Sequence, residues 1–140
     1  MDCFRLPFLL LLLMGFLPFS MEGQYLDVSE ELDLVTDHFG GYLGSGISVV
    51  DFNGDGIDDL SFCHHQGVLH FYIGNGNGAF QPLYLDVDNG NADCKSISWV
   101  DLDNDGDQDL FVTNRLATNR LWKNEGDGVY VDISASSGLN

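Results

Sequence analysis

Apolar and polar positions along this chain fall into short runs, and nearly every run stops at a group of Gly, Asn and Asp. Ile47-Ser48-Val49-Val50 and Leu60-Ser61-Phe62-Cys63 enclose one such group, and Val68-Leu69-His70-Phe71-Tyr72-Ile73 follows. A turn at Gly74-Asn75-Gly76-Asn77-Gly78 then leads into a further run starting at Phe80. The same order returns with Leu110-Phe111-Val112, Asn119-Arg120-Leu121-Trp122-Lys123 and Tyr130-Val131-Asp132-Ile133. β-Branched and aromatic residues bounded by turn formers predict strands. No stretch after the N-terminal region carries a helical period.

These runs belong to an internal repeat. Residues 46–60 align with residues 96–110 without a gap, at a constant offset of 50. Downstream, Gly76 matches Gly126, Gly78 matches Gly128 and Phe80 matches Tyr130. A third echo relates Tyr25-Leu26-Asp27-Val28-Ser29 to Tyr130-Val131-Asp132-Ile133-Ser134. Four short strands in a unit of this length predict a β-propeller blade; hairpins stacked in a β-sandwich are the alternative. The expected architecture is all-β, about two blades of four antiparallel strands. The units span about 44–90 and 94–140, with an extra strand near 24–34, inside a repeat region covering 24–140.

The N-terminal region differs. Arg5 precedes the apolar run Phe8–Phe19, and Ser20, Met21, Glu22 and Gly23 follow it. A short basic region, an apolar stretch and small or polar residues make a secretory signal peptide, here assigned to 1–23. The run is short of the roughly 20 residues that span a bilayer. The mature chain is therefore expected to be secreted, extracellular or at the cell surface, with the periplasm as a variant, and not inserted in a membrane. Cys63 and Cys94 would remain after cleavage, an even pair that an oxidising compartment can bridge. Two unpaired buried thiols are the alternative, because geometry decides.

Charge narrows the choice of partners. The formal net charge is −17, which excludes nucleic acid, whose phosphates require a basic surface. Asp51, Asp55, Asp58 and Asp59 crowd one loop, and Asp101, Asp103, Asp105, Asp107 and Asp109 the other. Both loops are hemmed in by apolar runs, so a disordered acidic tail is the wrong reading. Carboxylates this close repel one another unless neutralised.

The spacing suggests what neutralises them. Asp51, Asn53, Asp55, Ile57 and Asp59 stand at positions one, three, five, seven and nine of the first loop, and Asp101, Asp103, Asp105, Asp107 and Asp109 of the second. Side chains at alternate positions converge when the backbone curls. Position seven would offer its carbonyl, which leaves Ile57 and Asp107 free to differ. An all-oxygen set of this size suits Ca²⁺, whereas Mg²⁺ demands a tighter octahedron and Zn²⁺ would call for Cys or His. Two Ca²⁺ sites are expected. An EF-hand is excluded, since position twelve is Phe62 or Val112 where a Glu is needed, and strands flank the loops.

The pattern Asp-x-Asn/Asp-x-Asp-Gly-x-x-Asp-Leu between strands resembles the calcium loop of FG-GAP and VCBS-type repeats. These repeats build the propeller blades of integrin α subunits and of many secreted bacterial proteins. Asn119–Ser134 with Gly138-Leu139 is similar to bacterial and cartilage acidic protein-like members. The resemblance implies the same ten ligand positions in the two loops. Such propellers have more blades than two, so the chain is expected to be part of a longer product; assembly with further copies is the alternative.

No catalytic arrangement emerges. His64 and His65 are adjacent and, in a strand, would point to opposite faces. HExxH and nucleophile-elbow motifs are absent, and Gly74–Gly78 lacks the Lys and helix of a phosphate loop. Phe71, Tyr72, Trp99 and Trp122 sit at expected core positions; a sugar-stacking platform is the alternative. The expected function is a non-enzymatic recognition, adhesion or scaffold module for a protein or glycan ligand. An accessory, non-catalytic part of an extracellular polysaccharide-acting enzyme is the alternative, by analogy alone.

Overall fold

The computed structural model describes residues 26–34, 45–64 and 66–139. The signal-peptide assignment at 1–23, His38 and His65 lie outside the described residues. The described chain forms eight strands: β1 Ile47–Val50, β2 Asp59–Cys63, β3 Leu69–Gly74, β4 Phe80–Leu83, β5 Asp93–Val100, β6 Asp109–Arg115, β7 Arg120–Asn124 and β8 Tyr130–Asp132. No helix among these residues is long and apolar enough to cross a membrane.

The strands make two four-stranded antiparallel sheets, β1-β2-β3-β4 and β5-β6-β7-β8. Each sheet is a meander of consecutive strands, and each repeat unit supplies one whole sheet, as the blade reading requires. The registers correspond across the repeat. Leu60 faces Tyr72 in the first sheet, and Leu110 faces Trp122 in the second. β5 is longer than β1 because its first residues pair with the end of β6 across a bulge between Cys94 and Ser96.

The core lies between the sheets. Phe52, Phe71, Cys63, Cys94, Ile97, Leu110, Val112 and Trp122 are its buried members. Trp99 reaches from the second sheet into the first. Its ring stacks on Phe52 at 4.4 Å between centroids, and its indole N–H donates to the buried Ser61 hydroxyl at 2.9 Å. The tryptophan thus buries its ring and satisfies its polar atom together. The aromatic residues Phe71, Tyr72 and Trp122 are also buried, so they serve as packing and present no sugar-stacking surface. Cys63 and Cys94 form a disulfide, with 5.3 Å between their Cα atoms, pinning β2 to β5. Where β1 approaches β5, a Cβ on Gly46 would sit 2.7 Å from the Ser96 Cα, so glycine is required there.

Among the described residues, the repeat has two exposed faces. Phe52 is buried against the second sheet, yet its equivalent Leu102 is 48 % exposed; Ile97 is buried against the first sheet, yet its equivalent Ile47 is 57 % exposed. Equivalent residues therefore stand covered inside the molecule and uncovered at its two ends.

One expectation is corrected. The strand expected near 24–34 does not form over 26–34, which is a turn. The Asp27 carboxylate accepts hydrogen bonds from both the backbone N–H and the hydroxyl of Ser29, and Leu32 N–H donates to Val28 C=O. A short polar side chain bonded to its own backbone competes with a strand ladder. The echo with the C-terminus survives as turn geometry: Asp132 accepts the same two bonds from Ser134, and Ser137 N–H donates to Ile133 C=O.

Candidate metal centres

Each acidic loop joins the first two strands of a sheet. Residues 51–58 link β1 to β2, and residues 101–108 link β5 to β6. The loops curl by the same bonds at the same positions. The position-one carboxylate accepts the N–H of position six, Gly56 on Asp51 Oδ2 at 2.7 Å and Gly106 on Asp101 Oδ2 at 3.1 Å. Position three accepts from position five, and position five from position seven. Each carboxylate or amide thus turns the backbone that carries the next one. Position four is left-handed in both loops, Gly54 at φ 76° and Asn104 at φ 62°. Asn is among the few residues besides Gly that occupy this region readily.

Position nine bonds to the backbone instead of to its loop neighbours' side chains. Asp59 and Asp109 are buried. The Asp59 carboxylate accepts the N–H of Phe52 at 3.3 Å and of Gly74 at 2.9 Å. Asp109 accepts the N–H of Leu102 at 3.0 Å and of Asn124 at 2.8 Å. Each carboxylate ties the start of its own loop to the end of the third strand of its sheet. Sequence spacing marked these residues as ligands but could not show this brace. Burial first, then the like charges of Asp55 and Asp51, pushes Asp59 above the ordinary carboxylate range, outweighing its two backbone donors.

In the second loop, Asp101, Asp103 and Asp105 bring ligand oxygens within 4.8 Å of one another. Asp101 Oδ1 is buried and accepts no hydrogen bond, alone in this among the described side chains. A buried carboxylate oxygen without a partner is costly. An oxygen in that state beside two further carboxylates fits a hard cation. In the first loop the corresponding Asp51 Oδ1 accepts from Gly54 and Asp55 N–H, and the Asn53 amide donates to Asp55. Of the ten expected ligand positions, 101, 103 and 105 bring their carboxylate oxygens within 4.8 Å of one another. Asp59 and Asp109 brace the backbone of their loops.

Lys123 was not among the expected site residues. Its ammonium lies 2.9 Å from Asp103 and 3.3 Å from Glu125. These partners hold the Lys123 ammonium charged to well above its ordinary range, and Lys123 in turn lowers Asp103. The signal was present in the repeat: Asn53 becomes Asp103 where Ile73 becomes Lys123. The Tyr130 hydroxyl beside this loop is pushed up to about 12 by burial and then by Asp107 and Asp109. A groove of about 590 Å³ separates the loops, with Asp51 and Asn53 on one wall and Asp107, Asp127 and Tyr130 on the other.

Two meander sheets, each carrying an acidic loop in its first hairpin, define a blade-type repeat protein. A family model described as the FG-GAP-like repeat matches residues 51–112. The match runs from the first residue of one acidic loop through the second and into β6. This segment is similar to a repeat that serves typically as a non-enzymatic module.

Proposed function

We propose that this chain is a secreted, calcium-binding repeat protein that acts as a recognition, adhesion or scaffold module, with one Ca²⁺ in each acidic loop. The observation that carries the metal reading is the buried, unpartnered Asp101 Oδ1 among carboxylates whose oxygens lie within 4.8 Å. The donors are Asp101, Asp103, Asp105, the Asp107 carbonyl and Asp109 in one loop, and Asp51, Asn53, Asp55, the Ile57 carbonyl and Asp59 in the other. Carboxylate, amide and carbonyl oxygens are the hard donors that Ca²⁺ selects. The cation relieves repulsion within the loop and holds the hairpin rigid. Calcium is a staple here, and the groove and exposed blade ends are where a protein or glycan partner would be met. Secretion follows from the N-terminal apolar run and agrees with the Cys63–Cys94 bridge.

The test is a thermal melt of the purified chain in excess chelator and in millimolar calcium. A ligand at 100 times its Kd stabilises by about 2.7 kcal/mol, so the midpoint should rise by several degrees with calcium. Identical melts in the two buffers, with no heat of binding by calorimetry, would reject the calcium reading.

A further inference from the structure

We propose that Lys123 is a tethered counter-ion of the second loop, which weakens calcium binding there. This rests on the calcium reading above. At the offset of 50, the loops differ in one ligand side chain, Asn53 against Asp103. The third strands differ at the residue that reaches this ligand, Ile73 against Lys123. The second loop therefore gains a carboxylate and an ammonium together. Lys123 Nζ sits 2.9 Å from Asp103 Oδ2, so the added acid carries its own neutralising charge.

This contact has opposite effects on the two states of the loop. Without metal, the ammonium offsets the repulsion among Asp101, Asp103 and Asp105 and occupies Asp103 Oδ2. With metal, a fixed positive charge one ligand away from the cation opposes binding. Lys123 is held in place by two acids, Glu125 being the second at 3.3 Å, and its side chain is 29 % exposed, so solvent screens it only in part. Nothing cationic stands at the equivalent position of the first loop, where the residue is Ile73.

Calcium titration calorimetry of the full chain tests this, with Lys123→Met, Lys123→Arg, Asp103→Asn and the double variant Asp103→Asn/Lys123→Met. Removing one screened charge next to a divalent ion should strengthen one of the two sites by about threefold to tenfold. Lys123→Arg should keep the parent affinity. The strengthening should shrink in the Asp103→Asn background, because Lys123 then loses the partner that holds it at the loop. Trp122, beside Lys123 in β7, offers a fluorescence readout of the same step. Unchanged calcium affinities at both sites in Lys123→Met would overturn this proposal and leave the calcium reading intact. No binding heat in any variant would remove both.

Discussion

Asp109 offers the sharpest test of how the acidic loops are held. Its carboxylate is buried and accepts two backbone N–H groups, from Leu102 at 3.0 Å and from Asn124 at 2.8 Å. Hydrogen bonds to a charged acceptor contribute about 1.5–3 kcal/mol each, and an orphaned buried donor costs about 1–3 kcal/mol. Asp109→Ala strands both donors, so the expected loss is about 3–6 kcal/mol. Asp109→Asn keeps one acceptor oxygen but turns an NH₂ toward the other N–H, so its expected loss is about 2–3 kcal/mol. Small domains hold about 5–15 kcal/mol in all, so the Ala variant should be barely folded and the Asn variant folded but weakened. Urea unfolding followed by tryptophan fluorescence reads this directly, since Trp122 is buried and Trp99 packs against the core. The measurement belongs in excess chelator, where any metal contribution is absent and only the brace is weighed. The reasoning fails if both variants unfold within about 0.5 kcal/mol of the parent. It also fails if Asn proves as damaging as Ala, since the count of stranded donors would then not set the loss. Repeating the series in calcium separates the second role: a ligand at position nine predicts that calcium stabilises Asp109→Asn less than the parent.

Other consequences are open to equally direct tests. The Cys63–Cys94 bridge spans 31 positions, and chain-entropy arguments give about 3.7 kcal/mol for a loop of that size; a Cys63→Ala/Cys94→Ala variant should lose about that much, and reductant should lower the parent toward the variant while leaving the variant unchanged. Gly67→Ala should be severely destabilising by urea melt, because φ is +86° and the new Cβ would lie 1.6 Å from the Gly90 carbonyl oxygen. At Asp132, burial raises the pKa but hydrogen bonds from Ser134 and the charge and hydrogen bond of Arg120 together lower it below 3.8. A lowered folded pKa adds stability above the ordinary value and loses it as pH falls through the folded value. The stability gap between parent and Asp132→Asn should thus be constant near neutrality and shrink below about pH 4, as measured by urea melts across pH.

The chain's local chemistry determined much of this protein before any contact was known. Short β-branched runs cut by Gly, Asn and Asp marked the strands of both repeat units, because turn formers need no distant partner to act. The constant offset of 50 made each sheet a copy of the other, and alternate polar positions curled each acidic loop through bonds of only a few residues' reach. Residues 26–34 show where that reasoning stops. The same Tyr-x-Asp-x-Ser pattern makes a strand end at β8, where β7 offers a ladder, whereas residues 26–34 form only the turn. A strand is a pairing, and pairing lies outside the local sequence. The pairing of Cys63 with Cys94, the Trp99 ring across the sheets and the Asp59 and Asp109 braces all join residues far apart in the chain. Lys123 at Asp103 is of the same kind, a contact between β7 and a loop that only the fold brings together. Sequence by itself set the repeat, its strands and the acid at its loops; tertiary structure decided which of those acids brace the backbone, which leaves an oxygen without a partner, and which pairs with Lys123, because each of those outcomes depends on the groups that folding places opposite them.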